Sequence, residues 1–244
     1  FTPQPTTDAL ATIASRLADG DLPAAAPDFE TPLDDLPIGV FAEGTPEFAQ
    51  LVGAPTSPTI AAVAVGTFAS YDFRDPTGGA FAPDLVAGPA LPAANRPDFY
   101  LTIPKGTPPA GGWPLTLFGH GLTQSGRDTI ILAAALGDYP SMMLGISAVA
   151  HGRRGNFLEL FDFDRGPATR DTFRQSVADM LQVVEMARRS DTPPFELGDR
   201  HRLRYFGISL GGIMGTLFMA HAPHVEVGML SVPGGGLASI IRSP

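Results

Sequence analysis

From residue 114 onward, short apolar runs alternate with longer stretches whose apolar residues recur at helical spacing, and this alternation leaves few architectures open. Residues 114–118, 144–150, 203–206 and 225–232 have strand length and composition. Between them, residues 124–137 carry Ile130, Ile131, Leu132 and Leu136, and residues 171–189 place Phe173, Val177, Met180, Leu181 and Val184 on one stripe. Residues 210–221 read as a third helix. Strands joined through helices run parallel, because a parallel pair needs a crossover of about a dozen residues or more. The expected fold class is therefore α/β, a mostly parallel sheet with helices on both faces.

The first 110 residues read differently. Thr6 or Thr7 is placed to cap a short helix through Leu10, Ile13 and Leu17. Residues 19–58 are rich in Pro, Ala and Asp, with apolar islands at Val40, Phe41 and residues 48–52, and read as an irregular arm or as disorder. Residues 60–73 and 99–103 are β-rich, and 104–113 is a Gly/Pro turn region. The expected organisation is an N-terminal arm with leading strands over 1–110 and an α/β region over 111–244.

Composition removes several function classes. There is no cysteine, so disulfides, thiolate catalysis and Cys-type zinc sites are excluded. The net charge of −9 repels phosphate backbones, so nucleic acid is not an expected partner. No apolar run approaches the roughly 18 residues of a membrane span. The sequence begins at Phe1 rather than Met, which suggests a processed start and an exported, secreted or cell-envelope protein.

The most informative stretch is Tyr205-Phe206-Gly207-Ile208-Ser209-Leu210-Gly211-Gly212. It fits G-x-S-x-G between an expected strand and an expected helix, the setting this motif requires. A serine on so sharp a turn is lifted off the sheet, and the residues two before and two after it approach closely. Gly207 and Gly211 meet that demand, while Gly212 and Gly215 would let the helix pack tightly on the sheet. The plain alternative is a tight strand-to-helix turn without chemistry. A second signal is Phe118-Gly119-His120-Gly121-Leu122, a strand end running through His-Gly into an apolar residue. An oxyanion formed during ester cleavage needs two backbone N–H donors. Leu210, after the serine, and Leu122, in the earlier loop, are the candidates. His120 and His151 read as loop-bracing residues, and Arg153 and Arg154 as surface or bracing residues.

Taken together, these motifs resemble bacterial α/β-hydrolases, in particular exported esterases and lipases with an N-terminal extension. The resemblance also draws on Ala150-His151-Gly152, on Arg174-Gln175-Ser176 with Asp179, on Gly66-Thr67-Phe68 and on residues 102–106, and it covers roughly residues 60–236. It implies an α/β-hydrolase fold, incomplete in this chain and preceded by an arm. It also implies Ser209 as nucleophile of a Ser-Asp/Glu-His triad, an acyl-enzyme intermediate, and neither metal nor cofactor.

In that fold the acid and the base follow the serine. After Ser209 come only Glu226, His221 and His224. His221 lies twelve residues along the helix, about 18 Å at 1.5 Å per residue. The expectation is that a second polypeptide segment supplies the acid, the base and the remaining strands. The expected substrate is a small-molecule or polymeric ester, with an apolar acyl pocket formed by the Phe-rich residues 157–163 with Met142 and Met143; core packing is the alternative for these side chains. An acyltransferase or peptidase on the same elbow, a non-catalytic binding module, and a carbohydrate enzyme using Asp162 and Asp164 are the competing readings.

Overall fold

The computed structural model describes residues 8–77 and 79–234, apart from the side chain of Phe163. Thr6, Thr7 and Leu237 lie outside the described residues. Its strands are β1 (Pro27–Asp28), β2 (Gly39–Ala42), β3 (Ile60–Phe68), β4 (Ser70–Tyr71), β5 (Ala94–Asn95), β6 (Asp98–Pro104), β7 (Trp113–Gly119), β8 (Met142–Ile146), β9 (Gly198–Ile208) and β10 (Val225–Ser231). Its helices are α1 (Asp8–Asp19), α2 (Pro46–Val52), α3 (Pro83–Ala87), α4 (Thr129–Ala135), α5 (Gly166–Arg189) and α6 (Leu210–His221). The main sheet runs β1-β3-β6-β8-β7-β9-β10, with β2 also paired to β3; β4 and β5 form a separate ribbon. β8, β7, β9 and β10 are mutually parallel, whereas β6 is antiparallel to both β3 and β8. One sheet therefore crosses residue 110 without a break. No helix of the described residues is long and apolar enough to cross a membrane.

Strand alternation sorts the core onto two faces. Ala64, Phe68, Phe99, Leu101 and Ile103 point into a large cluster with α1, α5 and α6. Their neighbours Val63, Val65 and Tyr100 point the other way, against Phe48 and Leu51 of α2 and Ile130 of α4. This two-residue period is what a sheet covered on both sides requires.

Four expectations are corrected. The arm is not irregular: β1 and β2 pair antiparallel with β3, and α2 is capped by Thr45, whose hydroxyl accepts the Phe48 N–H at 3.2 Å. Residues 151–168, whose sequence reads as a loop, carry regular turns. They wind through 3₁₀ turns at Gly152–Arg154, Phe157–Phe161 and Phe163–Arg165, and α5 then starts at Gly166 with Pro167 in its first turn. Met142 and Met143 are buried at the start of β8, opposite Leu115 and Thr116, which is the end of the parallel strands away from Ser209; they line no acyl pocket. Finally, α5 is not simply amphipathic, because its polar side is buried as well. Asp171 accepts the Phe81 N–H (2.8 Å), Gln175 the Phe73 N–H (2.9 Å) and Gln182 the Tyr71 N–H (2.7 Å). Side chains of one helix thus satisfy the backbone of residues 71–81, much as a neighbouring strand would.

Candidate active site

β9 ends at Ile208 and α6 begins at Leu210, so Ser209 occupies the whole turn. It sits at φ 51°, ψ −110°, a strained conformation for a residue with a Cβ, and its side chain is exposed. Two backbone bonds hold it there: its N–H donates to Ser231 O at the end of β10 (3.0 Å), and its carbonyl accepts from Ile213 N (3.0 Å). The glycines are needed at close range. A Cβ on Gly207 would lie 2.4 Å from Gly211 O, and one on Gly211 would lie 2.0 Å from Gly119 O. The first approach is the one the motif predicts. The second is with the end of β7, and it locks the serine turn to the loop after that strand.

That loop meets Ser209 directly. The Gly211 N–H donates to His120 O at 2.9 Å, and a Cβ on Gly121 would lie 3.8 Å from the Ser209 Cβ. Gln124 Oε1 takes the Gly121 N–H at 2.8 Å, fixing the loop's curvature. Among the described residues no acceptor meets the N–H of Leu122 or of Leu210.

The two histidines nearby brace rather than react. His120 is buried; its Nε2 accepts the Ala148 N–H (2.9 Å), which leaves Nδ1–H to donate to Gly121 O (2.8 Å). Burial, with the nearby His151 adding to it, pushes its pKa down to about 4, so the ring is neutral at pH 7. His151 sets Nδ1 against Val149 O (3.1 Å) and Nε2 against Leu122 O (2.6 Å), its ring 5.0 Å from that of His120. His120 has no nitrogen left to take a serine proton, and both His151 nitrogens are turned to main-chain carbonyls.

The remaining histidines stand elsewhere. His221 packs at the far end of α6 beside Leu17, Leu181 and Val184, and burial lowers its pKa. His224 lies 3.8 Å from Glu185. His201 is exposed on β9, eight residues before Ser209, about 26 Å at 3.3 Å per residue. Glu226 is exposed at the bulge of β10, and Asp162 and Asp164 are exposed in the 3₁₀ segment. Arg153 donates to Asp34 O (2.6 Å) and pins the arm, while Arg154 pairs with buried Asp179 (2.6 Å).

Sequence reasoning missed Tyr205. Its hydroxyl donates to Gly211 O at 2.6 Å, and its ring fills the space that side chains on Gly119, Gly207 and Gly215 would occupy. The available signal was its position: four residues before the serine, it points inward from the same strand.

No family model and no curated protein matches this chain. Solved structures do. The acetyl xylan esterase from Paenibacillus sp. R4 matches with a TM-score of 0.51 at 13% identity, over 94% of this chain and 60% of that one. The chain has an α/β-hydrolase fold. Acetyl xylan esterase 1 from Thermoanaerobacterium sp. JW/SL YS485 matches with a TM-score of 0.47 at 13% identity, over 95% of this chain and 59% of that one. The CE15 glucuronoyl esterase from Teredinibacter turnerae T7901 matches with a TM-score of 0.42 at 14% identity, over 72% and 42%. This hydrolase-fold chain spans less than two thirds of the length of each of these.

Proposed function

We propose that the chain carries the nucleophile and oxyanion half of a serine hydrolase of carboxylic esters. The observation that supports it is the exposed, strained Ser209, whose turn meets the loop at Gly119–Gly121 while the N–H groups of Leu122 and Leu210 find no acceptor among the described residues. Ser209 Oγ attacks the ester carbonyl and gives its proton to a base. The carbonyl oxygen becomes an oxyanion held by the two N–H donors. Collapse expels the protonated alcohol and leaves an acyl group on Ser209, which water then removes. No described histidine or carboxylate is placed to act as the base, so base and acid come from a segment outside the described residues or from a second polypeptide.

The acyl group enters past Phe157, whose ring lies 6.5 Å from His151, and the exposed Leu158. This apolar rim favours fatty-acyl or aliphatic polyester substrates over charged ones. Turnover of aryl esters with acyl chains of two to sixteen carbons checks it; a strict preference for acetyl or for a charged acyl group contradicts it. The central test is Ser209→Ala in the complete protein. We expect fluorophosphonate labelling to vanish and aryl-ester turnover to fall by roughly three orders of magnitude or more. Retained turnover would remove Ser209 from the mechanism. Normal hydrolysis by residues 1–244 alone would show that the base lies within them.

A further inference from the structure

Away from Ser209, a cavity of about 330 Å³ is lined by Arg74, Asn95, Arg96, Pro97, Val149 and Arg154. Three chain segments converge on it: the stretch after β4, the turn from β5 into β6, and the 3₁₀ turn after β8. It lies at the same end of the parallel strands as the serine turn. β6 and β8 stand two to three strands from β9, roughly 10–15 Å at about 4.8 Å per strand.

The chemistry of the lining is one-sided. Each guanidinium has a carboxylate partner: Arg74 with Asp72 (2.6 Å), Arg154 with Asp179 (2.6 Å), and Arg96 with Asp28. None of these carboxylates lines the cavity. Arg74 directs Nε and Nη2 to Asp72; Arg96 directs Nη2 to Asp28 and Thr67; Arg154 directs Nη1 to Ser147 O and Nη2 to Asp179. Each therefore engages two of its five N–H donors, and the rest meet no acceptor among the described residues. The side chains grade from deep to shallow, with Arg154 10%, Arg74 22% and Arg96 49% exposed. The three guanidiniums meet at one cavity whose lining holds no carboxylate, so an anion there faces cationic donors.

We propose that this cavity binds a small, multiply charged oxyanion gripped by guanidinium forks, the geometry arginine offers to carboxylate and phosphate alike. The volume suits a compact polycarboxylate or pyrophosphate-sized ligand. The site is independent of the ester reading, and a result on either leaves the other standing.

Calorimetric titration of the purified protein with citrate, with pyrophosphate, and with uncharged glycerol as control tests it. One equivalent of citrate or pyrophosphate should bind, and the preferred anion identifies carboxylate or phosphate as the ligand class. Affinity should fall about tenfold or more in Arg96→Gln and again in Arg74→Gln, and should weaken with added salt. Arg96 is half exposed, so its variant keeps the fold even where that of Arg74 does not. Arg127→Gln, which alters an arginine bound to Gln50 and Leu51 carbonyls, should bind as wild type. Absence of binding by both anions at about 5 mM, or binding that survives Arg96→Gln unchanged, overturns the proposal.

Discussion

The two edges of the sheet are finished in opposite ways. At the β3 edge, β2 pairs residue for residue from Gly39 opposite Val65 to Ala42 opposite Ala62, β1 continues the ladder opposite Phe68 and Thr67, and α2 seals the face with fully buried Phe48. At the β10 edge, β9 pairs one side, and Val227 and Met229 stand 59% and 60% exposed. The sealed edge is where the arm stabilises the fold. At the open edge, Ser231 at the end of β10 accepts the Ser209 N–H and so helps set the serine's backbone. Among the described residues the outer edge of β10 has no partner, and such an edge is a natural place for another strand to add.

The sharpest way to break this contrast is Gly211→Ala, whose Cβ would overlap the carbonyl of Gly119. We expect Ser209 labelling to slow by roughly 10²-fold as the loop and the turn separate, with hydrogen exchange in β2 and β3 unchanged. A labelling rate close to wild type would show that the two loops need not touch. Phe48→Ala acts on the other edge. It should cost about 3–5 kcal/mol in denaturant melts and leave labelling per folded molecule intact. Loss of labelling without loss of stability would put the sealed edge in the chemistry too.

Acid tests the join between the two regions. The folded pKa of His120 is depressed from 6.5 to about 4, so the unfolded chain binds the extra proton first. Its contribution is complete above about pH 6.5, fades as pH falls towards 4, and amounts to about 3 kcal/mol. Thermal melts from pH 7 to pH 4 should show this slope, and His120→Gln should flatten it. The smallest effect belongs to Met229→Lys. On an exposed face it should change the stability of residues 1–244 by no more than about 0.5 kcal/mol. A loss of about 2 kcal/mol or more in the complete protein would reveal that something packs on β10 there.

What could be read in advance followed the strength of the local signal. α6 matches its expected range, 210–221, because Gly207, Ser209 and Gly211 fix its start and the apolar run fixes its length. β9 begins at Gly198, five residues before the apolar segment, because Asp199, Arg200 and His201 look like loop while pairing decides the strand. The edge strands of the arm were hidden for a related reason. Two- and four-residue strands carry no periodicity, and β3 dictates their register. The strand-to-helix turn at Ser209 was legible because it demands glycine at stated positions, Gly207 and Gly211. Tyr205 and the arginine cavity were not, since each depends on residues that come together only in three dimensions.

The helix that satisfies residues 71–81 has a consequence for how this molecule can vary. Asp171, Gln175 and Gln182 recognise main-chain N–H groups, which every residue but proline presents alike. The recognised stretch is therefore free to drift in its outward side chains, while the three recognising positions are not. Related chains should show substitution, and even short insertions between the anchoring points, concentrated in the stretch. A change at Gln175 should instead appear together with a compensating change elsewhere, because it releases three partners at once, the Phe73 N–H, the Tyr71 carbonyl and the Asp179 carboxylate.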